Sequence, residues 1–269
     1  MGESISKVTI VSGLFYIGRD KWKHSSFPPG VDRYKSWVTN LLSLDANLYF
    51  YVDDFYYDFV LEHRKKYDPN LVKTQLIKTS LEDQYFYKTY YASESCLMNS
   101  PEFKETIFFK DSADMNYSLY HIVNFCKIEF VKKSFEENKF NSDYFFWVDA
   151  GGLRENPSNY ENVKWPNEDI EYFNSPKITH FSHNEHFNIH PDKRDYFLSQ
   201  NRNIQGTAWI VPKGEVNLFY NMINNEVASI IKNKIVGSDE KVYDSLYNGR
   251  KDLYNLGIGG WFQFFNLCK

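Results

Sequence analysis

Hydrophobic residues along this chain come in short saturated bursts, separated by longer stretches in which apolar positions recur every three or four residues. Val8–Ile17 (VTIVSGLFYI), Leu48–Val52 and Tyr144–Val148 are bursts of strand length with little polar interruption. Such runs predict strands covered on both faces. Leu71–Lys78, Ile178–Phe181 and Thr207–Val211 read as further short strands. The intervening stretches have helical spacing. Asp32 to about Leu44 sets Tyr34, Trp37, Val38, Leu41 and Leu42 on one face, with Asp32 as the cap. Phe55–Lys65, Val216–Lys232 and a segment from Asp239 to Tyr247 follow the same rule. Tyr117–Asn138 is the longest such pattern, with Ile122, Phe125, Cys126, Glu129, Phe130 and Lys133 in its repeat. The paired prolines of SSFPPG (25–30) exclude a helix there. The tyrosine-rich residues 81–100 fit neither period, and the polar segment 155–176 is expected to cross the surface.

Strands alternating with helices predict an α/β fold, a mostly parallel central sheet flanked by helices. With no repeat, low-complexity tract or linker, residues 1–269 read as a single domain. Ligands of such sheets bind at the carboxyl ends of the strands, so residues just past each strand carry the candidate chemistry. The sharpest case is Tyr144–Arg154, YFFWVDAGGLR, where five large residues give way to Asp149 and two glycines. There Asp149 can hold a divalent cation that bridges diphosphate oxygens. Gly151 and Gly152 let a bulky ligand approach the backbone. The alternative is a turn in which Asp149 bonds local amides. The run D-A-G keeps only the first acid of a D-x-D pattern.

Asp53 and Asp54 end the strand of LYFYVDDF. One suits a helix cap and the other a contact to a nucleotide's base or ribose. Arg19 reads as a phosphate grip or as a solvated arginine. Lys127 shares its neighbourhood with the apolar stripe and points inward toward an anion, whereas Lys132 and Lys133 form a solvated face. His180, His183, His186 and His190 in THFSHNEHFNIH lack the spacing of a helical zinc site. One of them can complete a manganese-type site with Asp149, or contact sugar or acceptor. Gly237-Ser238-Asp239-Glu240 opens a helix with Ser238 or Asp239 as cap. An acid there that faced a reaction centre would serve as base toward a hydroxyl, or stabilise positive charge on a sugar carbon. No P-loop and no G-x-S-x-G elbow occurs, and the glycines at 257–260 follow the last helix, which is wrong for a dinucleotide site.

Composition narrows the classes. The 31 basic and 35 acidic residues give a net charge of -4, without the basic surplus of a nucleic-acid binder. Cys96, Cys126 and Cys268 have no metal-ligand spacing and read as reduced thiols. No signal peptide is recognised, so a cytoplasmic location is expected. No window approaches the roughly 18 apolar residues of a transmembrane segment. The aromatic stretch Trp261–Leu267 is expected to be a buried strand or a core-docked tail, the other reading being contact with a membrane surface.

Taken in order, these elements resemble the HtrL/YibB family, bacterial proteins also met in large DNA viruses and grouped with glycosyltransferases. The resemblance runs through TIVSGLFYIGRDKW, RYKSWVTNLL, LYFYVDD, NKFNSDYFFWVDAGGLR, NIQGTAWIVPKGEVNLFY and GSDEKVYDSLY. It implies a GT-A-like fold in which a nucleotide-sugar lies across the C-terminal edge of the sheet, with a metal on the acid after the middle strand. The DE pair of GSDEKVYDSLY also looks like the HDE segment of the histo-blood-group glycosyltransferases, which implies that Asp239 and Glu240 lie near the donor sugar. Glycine in place of the second acid of D-x-D departs from the metal-binding pattern.

The expectation is therefore a nucleotide-sugar-dependent glycosyltransferase. Asp239 and Glu240 are its catalytic candidates. Arg19, Asp53, Asp54, Lys127 and Gly151 are candidates for the donor, a UDP- or GDP-sugar. Asp149 with His180 and His183 is the candidate set for Mn²⁺ or Mg²⁺. The acceptor is expected to be a glycan, lipid or protein. The rival expectation is an inactive glycan- or nucleotide-binding module on the same fold.

Overall fold

A computed structural model describes residues 6–23, 31–107, 112–185, 192–199 and 201–269. The strands are β1 (Val8–Leu14), β2 (Asn47–Val52), β3 (Thr74–Lys78), β4 (Tyr144–Val148), β5 (Ile178–Ser182), β6 (Ile204–Pro212) and β7 (Tyr254–Ile258). They form one seven-stranded sheet in the order β3-β2-β1-β4-β6-β5-β7. β1, β2, β3 and β4 pair in parallel, as do β5 and β7, whereas β6 runs antiparallel to both of its neighbours. The helices among the described residues are α1 (Val31–Leu42), α2 (Asp54–Lys65), α3 (Tyr85–Met98), α4 (Pro101–Thr106), α5 (Ser118–Glu137), α6 (Lys193–Leu198), α7 (Val216–Lys232), α8 (Asp239–Gly249) and α9 (Phe264–Leu267). The expected α/β class, with a mostly parallel central sheet between helices, is what forms.

The saturated bursts are explained by two-sided burial. Leu48, Phe50 and Val52 of β2 enter one core with Val38 and Leu41 of α1 and Val60 of α2. The alternating Tyr49 and Tyr51 enter the other, with Phe125 and Phe130 of α5 and Phe219 of α7. β4 divides likewise, Phe146 and Val148 against Phe145 and Trp147. Period-2 alternation is therefore present, but both phases are apolar.

Several boundaries differ from the expectation for local reasons. β1 stops at Leu14, because the Tyr16 amide turns to donate to Asp53. β3 begins at Thr74, not Leu71: Leu71 has φ 52°, and Asp68 accepts from the amides of Val72 and Lys73. Asp32 lies in the first turn of α1 and is not its cap. α3 has a remote determinant: Glu129 of α5 accepts from the amides of Tyr85 and Phe86 at its start. The segment 155–176 is not simply a surface crossing. Trp165 is 1% exposed, donates to the Phe265 carbonyl at 3.1 Å and stacks on the Phe265 ring. The C-terminal aromatic stretch is a docked tail, with Phe264 and Phe265 buried in α9; the last strand is β7, upstream of it. The SSFPPG loop lies outside the described residues.

Arg64 ties α2 to the edge of the sheet. Arg64 is 2% exposed, and its guanidinium donates to Thr74 Oγ1 and to the carbonyls of Leu42, Leu44 and Ala46. Replacing it by alanine strands three carbonyls at the end of α1. Arg64→Ala is expected to cost about 3–5 kcal/mol, read as a lower urea midpoint with an unchanged slope. A loss below about 1 kcal/mol would show that water replaces the guanidinium there.

Candidate active site

The strand order reverses direction at β1 and β4, which lie side by side at the centre of the sheet. A crevice opens beyond the carboxyl ends of strands at such a point, and a cavity of about 460 Å³ lies here. Its size is that of a small-molecule site. Arg19 follows β1, and Asp149 and Arg154 follow β4. Lys127 and Asn124 come from α5, Gly206 and Thr207 from β6, and Asp239 and Glu240 from the start of α8. Tyr34, Trp37, Trp22, Tyr120, Trp261 and Phe262 supply aromatic walls. A hollow of about 550 Å³ at the opposite edge of the sheet contains Asp45 and Lys73, but these pair with each other at 2.7 Å.

Lys127 organises the floor. Its Nζ lies 2.8 Å from Asp239 Oδ2, 3.0 Å from Asp149 Oδ1 and 2.8 Å from the Gly206 carbonyl oxygen. Three acceptors match the three donors of an ammonium. Asp149 Oδ1 also accepts from Trp147 Nε1 at 2.7 Å, and its backbone amide donates to the Thr207 carbonyl. Gly206 makes this packing possible: a Cβ there would sit 2.5 Å from Asp239 Oδ2. The side chains of Lys127 and Asp239 are 5% and 6% exposed, whereas that of Asp149 is 31% exposed. Asp149 is thus the member of the trio that faces the cavity. Burial opposes the charge on Lys127, yet its carboxylate neighbours hold its pKa well above the usual lysine value. Burial pushes the Asp149 carboxyl up, while Lys127 pulls it back.

The cations around the cavity are held in different ways. Arg202 pairs with Asp114 and, at 3.3 Å, with Glu240. Arg154 donates from Nε to the Gly151 carbonyl, with its guanidinium between the rings of Trp37 and Phe262 at 4.2 and 3.9 Å. Arg19 is held by rings: its guanidinium lies 5.2, 5.0 and 5.5 Å from the centroids of Trp22, Tyr34 and Tyr120. Gly18, at φ 73°, makes the left-handed turn that sends Arg19 there.

Other sequence candidates fall elsewhere. Asp53 caps α2, accepting from the Tyr56 amide at 3.2 Å, and Asp54 is a surface residue paired with Lys78. Neither lines the cavity. At Gly151 a Cβ would lie 2.9 Å from the Tyr34 ring, so the glycine lets this cavity wall seat against the loop after β4. The metal set expected from Asp149, His180 and His183 does not converge. His180 is buried among the rings of Phe219, Tyr243 and Tyr254, and burial pushes its pKa down to about 3. His183 packs on Trp261, and neither histidine lines the cavity. Among the described residues, no three His, Cys, Asp or Glu side chains come together as a ligand set. The residues present do not fit a metal held by that trio. His186 and His190 lie outside the described residues.

Sequence reasoning missed Arg154, Arg202 and the aromatic walls. Arg154 shares the loop after β4 with Asp149, so its place past a strand end was a usable signal. Arg202 gave none, because its approach to Glu240 depends on α8 packing beside the start of β6, where Asp244 accepts from the amides of Asn203 and Ile204.

The chain matches the family model described as "Bacterial protein of unknown function (HtrL_YibB)" over residues 6–269. No curated protein matches it. Among solved structures, 4-diphosphocytidyl-2C-methyl-D-erythritol synthase from Anaerococcus prevotii DSM 20548 is similar at TM-score 0.44 and 12% identity, over 95% of this chain and 88% of that one. A transferase solved as a double cysteine-to-serine mutant is similar at TM-score 0.42 and 13% identity, over 96% of this chain and 90% of that one. The glycosyltransferase GlyE of Streptococcus pneumoniae TIGR4 gives TM-score 0.39 and 8% identity, over 93% of this chain and 44% of that one. At this degree of similarity, function has to be argued from the chain's own side chains. No helix among the described residues is long and apolar enough to cross a membrane.

The cavity has a pH signature. Burial, assisted by Asp239 and opposed by Arg202, raises the Glu240 carboxyl to about 8. The folded state then holds a proton that the unfolded state releases near pH 4.5. Stability from this group is complete below that value and is lost as pH rises toward 8. Wild-type stability is expected to fall across that window by up to ~1.4 kcal/mol per pH unit, and Glu240→Gln should flatten the profile. Urea titrations between pH 5 and 9 test this; a wild-type profile as flat as that of Glu240→Gln would contradict it.

Proposed function

The chain belongs to the HtrL_YibB family, and we propose that it is a glycosyltransferase that moves a sugar from a UDP- or GDP-sugar to a hydroxyl of a glycan, lipid or protein. One observation carries the reading. Asp149 is the open end of a buried carboxylate–ammonium–carboxylate chain, and it faces a cavity that also presents guanidinium groups and aromatic rings.

Each part suits a portion of such a donor. Aromatic rings stack on a base or a sugar face. Guanidinium groups bond phosphate oxygens in pairs. Charge that develops on a departing diphosphate is stabilised best by groups already in place. Glu240, with a pKa near 8, is suited to proton transfer close to neutral pH. In the proposed step the acceptor oxygen bonds to the anomeric carbon as the bond from that carbon to the diphosphate oxygen breaks. The diphosphate leaves with the electron pair, and Glu240, in its ionised form, takes the hydroxyl proton. Asp149, fixed by Lys127 and Trp147, faces the reacting sugar.

The test is turnover across a panel of UDP- and GDP-sugars, read as released nucleotide. Wild type is expected to hydrolyse or transfer from at least one donor. Asp149→Asn should lower that rate at least ~100-fold. Lys213→Ala, on a surface ion pair away from the cavity, should leave it unchanged. A wild-type protein that is shifted in melting temperature by a nucleotide but turns over no donor would favour the binding module instead.

A further inference from the structure

We propose that this chain neutralises the donor's diphosphate with its own cations, with Arg19 as the phosphate receptor, and not with a protein-held Mn²⁺ or Mg²⁺. The inference rests on the nucleotide-sugar reading and names how that donor is gripped.

The first ground is that the acids which would hold a divalent ion are already bound to a cation. Lys127 Nζ spends its donors on Asp149 Oδ1, Asp239 Oδ2 and the Gly206 carbonyl. Asp149 Oδ1 is held a second time by the Trp147 indole. A metal ion placed on these carboxylates would have to share them with a buried ammonium, and like charges at contact range repel. The two histidines expected to complete such a site lie elsewhere, one in the core and one against Trp261.

The second ground is independent and concerns Arg19. Among the described residues it forms no ion pair, in contrast to Arg202, which is held by Asp114 and Glu240. Its guanidinium faces the cavity with Trp22, Tyr34 and Tyr120 around it. Ring faces stabilise the cation without consuming its N–H donors. A guanidinium so placed is a preformed receptor for an anion with two oxygens to offer. Its position beyond β1, beside Asp149 beyond β4, puts it where the strand order reverses.

Calorimetric titration of the full chain with UDP and with GDP, in EDTA and in Mn²⁺, tests the inference. Uridine and guanosine serve as probes without phosphate. At least one diphosphate is expected to bind with affinities within about threefold in the two buffers. Arg19→Gln should weaken it by about tenfold or more and leave the weak binding of the matching nucleoside unchanged, while Arg19→Lys should recover part of the loss. The contacts of Arg19 to its neighbours are ring faces, so unchanged melting of Arg19→Gln verifies that the fold is intact. Binding that tightens tenfold or more with Mn²⁺ overturns the inference and leaves the transferase reading standing. An Arg19→Gln protein that binds the diphosphate as wild type does also overturns it. No binding of either diphosphate in either buffer overturns both.

Discussion

One ammonium group organises the functional end of this molecule. Lys127 reaches from the middle of α5 to the point where β4, β6 and α8 meet, and it bonds to one group from each. Without it, Asp149 and Asp239 would be two carboxylates facing one another in a region of low polarity. Such a pair cannot remain ionised together at low cost. With it, Asp239 can stay buried at the first turn of α8, and Asp149 can turn partly toward the cavity. The position of α8, the glycine at 206 and the orientation of the proposed reacting acid all depend on that contact.

Around this floor the cavity is lined by rings as well as by ions. Trp22, Tyr34 and Tyr120 surround Arg19, and Trp37 and Phe262 enclose Arg154. The two arginines thus reach the cavity on aromatic supports from different parts of the chain. Ring faces hold the Arg19 cation without consuming its N–H donors, whereas Arg154 also donates from Nε to the Gly151 carbonyl. The acids of the cavity, Asp149, Asp239, Asp114 and Glu240, pair with Lys127 and Arg202. The chain has a net negative charge, yet it sets cations where an anionic ligand would enter. The distribution of charge matters here, and the total does not.

The fold was legible wherever burial on both faces of a strand saturates the sequence. β2 and β4 stand out as apolar runs because either phase of their alternation meets a core. Legibility failed where a partner far along the chain decides the conformation. The start of α3 is satisfied by Glu129, more than forty residues away. Trp165 is drawn inward by the C-terminal tail. β7 is a short run with two glycines nearby, and its place is set by pairing with β5. For the site, Asp149, Lys127, Arg19, Asp239 and Glu240 could be singled out from strand ends and helix starts, and the structure brings all five to one cavity. Asp53 and Asp54 have equally suggestive positions, but a free helix N-terminus and a nearby lysine claim them.

The sequence by itself determined the alternation of strands and helices, the parallel sheet that follows, and the placing of acids beyond the ends of two central strands. Those features are local: they depend on side-chain period and on where polarity changes. Only the tertiary structure decided which charges meet. Histidines on and after the next strand of the chain read as equal candidates to a lysine on the preceding helix, until the tertiary structure put His180 behind a wall of rings and Lys127 against the acid. Electrostatic partnership falls off over a few ångströms and is set by packing between remote segments, a distance that no one-dimensional pattern records.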